Sequence, residues 1–453
     1  MPNNIPQVLI TPLKPALIEG VAQTLQVLVR VQAPDADPTQ AMKERGPYHL
    51  SLVIDRSGSM SGVPLVEALR CAQHIVGSLA PTDVASLIAF DDRVDTLVPA
   101  GPVGNCKLLQ AALSSVHSGG QTNLHGGWDA GALTLKADAG KAALARVILL
   151  SDGNANAGRT TNTAEIAAFC AAAAEEGVTT STYGLGPSFN EELMVEMAKQ
   201  GGGNSYYAET AADLFGPFAE EFDLISSLYA RSVRLSLDAP DGVTITVLNG
   251  YYVDLRDGFP VVRMPDIPFG AEAWALLELG IPESLAMEPG KQFLQAAVSA
   301  TTPGKEPIAF ADARLCLPLM PPAAWEALLD DPLVRARQAE LAAAKMIDQA
   351  RAAADLGDWE TIQRMIADAN TRYADQPWVL EVLATMSELA RVRDAGRFSK
   401  ESLYSSGKMS RRVSAKEELL SSTASEASVP SFLRRKKAQG KAEFDRPPDN
   451  DAK

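Results

Sequence analysis

The segment Leu52-Val53-Ile54-Asp55-Arg56-Ser57-Gly58-Ser59-Met60 decides how the rest of the chain is read. His49 to Ile54 is a short, mostly apolar run, the pattern of a strand covered on both faces and therefore of a parallel sheet. Such a strand delivers Asp55 at its carboxyl end. Small or flexible residues follow, and Pro64 opens a helix near its first turn, where the missing N–H of proline costs nothing. A carboxylate and two hydroxyls at i, i+2 and i+4 in one tight loop can converge on a single hard cation, which prefers oxygen donors.

Working outward, two more segments offer groups of the same kind. Gly119-Gly120-Gln121-Thr122-Asn123-Leu124 reads as a loop entering a helix and supplies the Thr122 hydroxyl. Leu149-Leu150-Ser151-Asp152-Gly153 ends another apolar run with a second carboxylate. Between and beyond them the pattern alternates. Helices are expected over 64–79, 107–116, 124–136, 163–176, 191–200 and 212–229, and strands over 49–54, 84–90, 94–99, 146–150, 178–185 and 205–208. That alternation predicts an α/β unit over 47–230, a doubly wound, mostly parallel sheet with helices on both faces. Ligands of such sheets bind beyond the carboxyl ends of the strands.

Asp55-x-Ser57-x-Ser59, then Thr122, then Asp152-Gly153, in this order and in these loops, resembles the metal-ion-dependent adhesion site of von Willebrand factor A (VWA) domains. The resemblance covers under half of the chain. It implies a Rossmann-like fold and a site for Mg²⁺ (or Mn²⁺ or Ca²⁺). Ser57, Ser59 and Thr122 would be direct or near-direct ligands, with Asp55 and Asp152 binding through water or entering the first shell. All five positions match. It further implies a coordination position left for an acidic residue of a partner protein, since the chain provides only two carboxylates and the bound cation keeps Lewis acidity for a third.

The flanks read differently. Val8–Ile10 and Leu25–Val31 are β-rich and lack partners of their own, so residues 1–46 are expected to join a β-sandwich built by 231–320, where runs such as 232–237, 273–279, 292–299 and 308–316 alternate with Gly and Pro turns. The α/β unit would then be an insertion in that sandwich. Residues 321–397 read as a small helical bundle, one hairpin of which resembles a tetratricopeptide unit. Residues 398–453, rich in Ser, charge and Pro, read as a disordered tail containing Arg411-Arg412-Val413-Ser414 and a basic Phe432-Leu433-Arg434-Arg435-Lys436-Lys437 run.

Composition narrows the function classes. The 453 residues carry a formal charge of -15, which repels phosphate backbones, so nucleic acid is not an expected partner. The start lacks the basic-then-apolar pattern of a signal peptide, and no 18-residue apolar run predicts a membrane span. The four cysteines, Cys71, Cys106, Cys170 and Cys316, are far apart and suit free thiols. A cytoplasmic location is the expectation. Nucleophilic chemistry at Ser57 or Ser59 would need a base, and of the four histidines only His117 and His125 flank the Thr122 loop. His125 is read as a rim or solvated helix residue, Asp91-Asp92 as turn residues, and Asn154 and Asn156 as loop residues that either line a partner surface or serve the turn. No G-x-S-x-G elbow and no phosphate loop is present, and Gly201-Gly202-Gly203 precedes a strand. The chain is therefore expected to be no enzyme but a metal-dependent adaptor that captures an acidic partner residue. The resemblance points to AAA+ ATPases or kinase–phosphatase stress systems as partners. The alternative is a VWA subunit of an ATP-driven, metal-chelatase-like or AAA+ complex.

Overall fold

The order of strands around the one that ends in Asp55, Tyr48–Asp55, fixes where a ligand can sit. The computed structural model describes residues 5–35, 47–136, 144–185, 190–208, 227–256, 258–283, 292–411 and 414–415. The chain divides into two units, Lys43–Ser226 with Pro303–Lys305, and Met1–Met42, Ser227–Thr302 and Glu306–Lys453. The second unit opens with β1 (Gln7–Pro12), β2 (Leu17–Ile18) and β3 (Gln23–Gln32).

The inserted unit contains β4 (Tyr48–Asp55), α1 (Val63–Ser78), β5 (Val84–Phe90), β6 (Val94–Pro102), α2 (Lys107–Leu113), α3 (Leu124–Lys136), β7 (Leu144–Ser151), α4 (Thr163–Glu175), β8 (Val178–Leu185), α5 (Glu191–Gln200) and β9 (Gly202–Ala208). Its sheet runs β6-β5-β4-β7-β8-β9, parallel except for β6. From β4 the chain turns one way to β5 and later resumes on the other side with β7. The strand order therefore reverses at β4, and a crevice opens beyond its carboxyl end. Both faces of β4 are covered: Leu50, Leu52 and Ile54 pack with Leu65, Ala68, Ala72 and Ile75 of α1, while Val53 packs with Trp128 and Leu135 of α3. Helix α3 lies very close to the sheet. A Cβ on Gly127 would stand 2.3 Å from Phe90 Cδ1, and one on Gly131 would stand 2.5 Å from Val53 Cγ2. Glycine at i and i+4 is thus what lets α3, and the Thr122 loop that feeds it, approach the strand ends.

In the second unit β3 pairs antiparallel with β1 on one side and with β15 (Ala271–Ile281) on the other, ten residues in register from Gln32↔Glu272 to Gln23↔Ile281. With β11 (Thr244–Val247) these strands make the first sheet. The second sheet runs β12 (Val253–Arg256), β13 (Phe259–Arg263), β10 (Leu228–Asp238), β16 (Leu294–Thr301), β17 (Pro307–Ala309), with β14 (Ile267–Pro268) on β10 and β18 (Ala313–Leu315) on β16. Short β19 (Leu319–Met320) runs parallel to β2. Five helices follow: α6 (Pro322–Glu326), α7 (Pro332–Asp355), α8 (Trp359–Arg372), α9 (Pro377–Val392) and α10 (Ala395–Arg411). Val334 at the start of α7 packs with Leu28, Trp274 and Leu276 of the first sheet, and farther along Ile347 joins Ile362, Leu383 and Phe398 in a helical core.

Three sequence expectations need correction. The disordered tail does not begin at 398: α10 extends to Arg411, and β20 (Ser414–Ala415) pairs with β15. The buried positions of α10 include Phe398, Ser402, Ser405, Ser406 and Met409, which repeat at helical spacing, with Ser399 and Lys400 buried beside them. Serine hides that period from a hydrophobic reading but is small enough to be buried against a neighbouring helix, its hydroxyl bonding back into the chain, as Ser410 Oγ does to Ser406 O at 2.8 Å. The rest of the expected tail, including the basic run, lies outside the described residues. The second correction concerns the helix expected over 212–229. Most of it lies outside the described residues, but Tyr229 stands in β10, its ring edge-on to Phe269, so the sandwich starts before 231. Finally, the strand expected over 308–316 is two strands on β16. Ala309 faces Ser299 and Ala313 faces Ala296, four steps against three, and the extra residue breaks the ladder. Among the described residues no helix is long and apolar enough to cross a membrane.

Candidate metal centre

Asp55 is the last residue of β4 and is fully buried. Its Oδ1 accepts the Ser57 backbone N–H at 2.8 Å, which curls the chain immediately after the strand. Its Oδ2 accepts Ser151 Oγ at 2.5 Å, which ties β4 to the end of β7. Ser57 Oγ lies 3.2 Å from Ser59 Oγ, so the two hydroxyls share one side of the loop, Ser57 buried and Ser59 exposed. Asp152, the residue after β7, is also buried, and its charge acts on Asp55.

Backbone contacts stitch the Thr122 loop onto this pair of strand ends. Gly58 N–H donates to Gly120 O at 3.0 Å and Gly119 N–H to Arg56 O at 2.8 Å. Gly120 holds φ +69°, and a Cβ there would meet Asp92 Oδ1 at 2.0 Å, so this position requires glycine twice over. On the far side, Thr122 N–H donates to Asn156 Oδ1 at 2.7 Å, and Asn156 N–H returns to Thr122 O at 3.1 Å. The Asp55 loop is therefore hydrogen-bonded directly to both other segments, and Asn156, three residues past Gly153, is hydrogen-bonded to Thr122. Asp55, Ser57, Thr122 and Asp152 are buried, with Ser59 on the open side.

Several residues read in the sequence only as turn, rim or loop residues help to hold this arrangement. Asp91 is more than a turn residue: its carbonyl accepts Asn123 N–H at 2.9 Å and its carboxylate takes Arg56 Nε at 3.0 Å. Burial pushes Asp91 upward, but hydrogen bonds from Arg93 and Arg56 outweigh it and hold the acid below the usual carboxylate range. Arg56 also reaches Asp95. The one basic residue inside the Asp55–Ser59 loop is thus engaged with Asp91 and Asp95. Among the described residues neither Asp55 nor Asp152 forms an ion pair with Lys or Arg. His125 is buried, not solvated, its ring edge-on to Phe169 at 4.7 Å. Burial is the main reason its pKa falls below the ordinary histidine value. Asn156 supports the Thr122 loop from below through its side chain.

The electrostatics of the centre follow from this geometry. Removing Asp55 from water penalises its charged form, and Asp152 adds a smaller like-charge push. Hydrogen bonds from Ser151 and Ser57 offset part of this, and the result is a pKa of about 6. Two buried carboxylates beside three hydroxyls, with no basic side chain paired to either acid, make a donor set of hard oxygens with a local excess of negative charge. That set fits a divalent cation such as Mg²⁺. Among the described residues no group of three or more His, Cys, Asp and Glu side chains gathers to hold a metal ion, at this centre or away from it; here the donors are two acids and three hydroxyls.

An open α/β sheet with oxygen donors beyond the carboxyl end of its central strand defines a broad class of ligand-binding unit. Within it, residues 49–218 match the von Willebrand factor type A domain model, and this part of the chain is a VWA domain. The chain is 24% identical over 286 residues to protein sll0103 of Synechocystis sp., an alignment covering 60% of this chain and 64% of that one. It is 26% identical over 194 residues to YfbK of Escherichia coli, covering 42% and 33%. The matches thus span less than two thirds of either relative. Among solved structures, a von Willebrand factor type A protein from Catenulispora acidiphila superposes with a TM-score of 0.69 at 13% identity, over 91% of this chain and 98% of that one. The ArnB paralog VWA2 from Sulfolobus acidocaldarius gives 0.59 at 20% identity, over 90% and 98%. At these identities the likeness is one of fold.

Proposed function

We propose that the VWA domain is a metal-dependent protein-binding module, and that the chain acts as an adaptor rather than an enzyme. Ser57, Ser59 and Thr122 would hold the cation, with Asp55 and Asp152 supplying the negative charge behind it. When bound, the cation supplies Lewis acidity toward an acidic side chain brought by a partner protein. The observation that carries this reading is the pair of buried carboxylates without a basic side chain. Leaving such charge uncompensated is costly, and hydroxyls gathered on the same loops are suited to a cation shared with solvent or a partner. The chain's own groups orient the site: Ser151 holds Asp55, Asn156 holds Thr122, and Arg56 anchors the loop to Asp91.

Binding of Mg²⁺ and Mn²⁺ to the full chain, followed by calorimetry, tests the site itself. Asp55→Ala is expected to abolish it. A pull-down in Mg²⁺ eluted with EDTA, with captured proteins identified by mass spectrometry, tests the adaptor role. Equal capture by wild type and Asp55→Ala, with and without EDTA, would overturn the metal-dependent reading.

A further inference from the structure

The second sheet of the sandwich ends in a hairpin whose outer strand has no neighbour among the described residues. Strands β12 and β13 pair from Val253↔Val262 to Arg256↔Phe259, joined by Asp257-Gly258, with Gly258 at φ +86°. This is the sequence signature of a two-residue hairpin turn. Four large side chains of this one hairpin are exposed: Tyr252 44%, Val253 39%, Leu255 76% and Phe259 46%. Edge strands of monomers are ordinarily blunted by shortness, charge, proline or a bulge; β12 is short and carries Asp254 and Arg256 but has neither proline nor bulge, so its charges decide which strand it can accept.

Its backbone pattern states how another strand would pair. Arg263 N–H donates to Tyr252 O at 3.0 Å, so residues 252, 254 and 256 turn their N–H and C=O groups toward β13. By the alternation of antiparallel ladders, Val253 and Leu255 turn theirs outward. A second β12 docked antiparallel about a two-fold axis at Leu255 would place Leu255 opposite Leu255 in a hydrogen-bonded pair. It would also place Asp254 opposite Arg256, and Arg256 opposite Asp254, in non-hydrogen-bonded pairs, where side chains approach most closely. Asp254 Oδ2 accepts Arg263 Nη2 of β13 at 3.0 Å and stands 3.8 Å from Arg256 on the same side of β12, so Arg256 is the more exposed and less engaged charge of the edge. The edge is therefore complementary to itself in charge, in apolar contact and in backbone polarity.

We propose that β12 is a homodimerisation edge, joining two copies of this chain into a continuous antiparallel sheet. The occupant is a second copy because the register that pairs the outward backbone groups is the same one that pairs opposite charges. This inference is independent of the metal centre. It is tested by sedimentation equilibrium of the full chain over a concentration series in EDTA, where wild type is expected to move from 48.1 kDa toward twice that mass. Arg256→Asp sets two like-charge pairs across the axis and is expected to weaken association about tenfold or more. Arg256→Lys keeps opposite charges across the axis and leaves the Asp254–Arg263 pair in place, so it is expected to keep the dimer. Leu255→Lys, a change at an exposed side chain, should give a folded monomer with an unchanged circular dichroism spectrum. A wild type that stays at one-chain mass at every concentration overturns the proposal, and so does an Arg256→Asp or Leu255→Lys chain that associates as wild type does.

Discussion

Asp55 in the VWA domain and Glu272 in the sandwich unit are both fully buried carboxylates, yet their surroundings differ. Glu272, on β15, accepts Gln32 Nε2 at 2.9 Å and lies 3.4 Å from Arg30 Nη1 and 3.6 Å from Arg337 Nη2. Arg337, at the start of α7, is 2% exposed, reaches Glu340 at 3.0 Å and lies over the Trp274 ring at 4.8 Å. Here the chain supplies its own cations, and the cluster locks a helix to a sheet. Asp55 has hydroxyl and amide donors but no arginine, and the nearest one, Arg56, is bound to Asp91 and Asp95. The difference teaches how to read a buried acid. Charge answered from within the chain marks architecture, and buried charge without such an answer marks a candidate site.

Three measurements break or sharpen that contrast. The largest effect is expected from Arg337→Ala, which takes one of two arginines from Glu272 and also removes the guanidinium from Glu340. Removing one partner of a buried ion pair costs about 3–5 kcal/mol. Hydrogen exchange read by mass spectrometry should place the loss in α7, β3 and β15, with the same loss in Mg²⁺ and in EDTA. Next comes metal itself. At a free Mg²⁺ concentration of about 100 times its Kd, the VWA domain should gain about 2.7 kcal/mol of protection against unfolding, lost on adding EDTA. Asp55→Asn should erase that gain without lowering stability in EDTA, because it removes the charge that burial penalises. A large loss of stability for this variant in EDTA would mean that Asp55 is an architectural acid like Glu272. The smallest effect is expected from Arg56→Met. Its ion pairs are partly exposed, so stability in EDTA should fall by no more than about 1 kcal/mol, while Mg²⁺ affinity, followed by titration, should fall as the loop loses its anchor.

Much of the candidate site was legible because it is local. The run into Asp55 and the spacing of Ser57 and Ser59 are properties of nine consecutive residues, and the reversal of strand order at β4 places their loop in the crevice. The supports were not legible. Arg56 with Asp91, and Asn156 with Thr122, are separated by about a third of a hundred residues and meet only once the strands are ordered. Asp91 also looked sufficient as a turn residue, which masked its second role. The same limit explains α10, whose buried stripe is largely serine. Composition there suggested disorder, while the spacing of Phe398, Ser402, Ser405, Ser406 and Met409 is that of a packed helix.

The pairing of β3 with β15 has a consequence for the nascent chain. Gln32 and Glu272 meet across 240 residues of sequence, and the whole VWA domain lies between them. At roughly 5–20 residues per second, β3 waits on the order of 10–50 s after its own synthesis before its partner leaves the ribosome. During that interval β1 and β3 can pair, but the other edge of β3, carrying Val27, Val29 and Val31, has nothing to pair with. The inserted domain, complete in itself, is free to fold in that time. The order of synthesis thus lets the VWA domain mature before the sandwich closes, and it makes the β3 edge a point at which a stalled or truncated chain is exposed to aggregation.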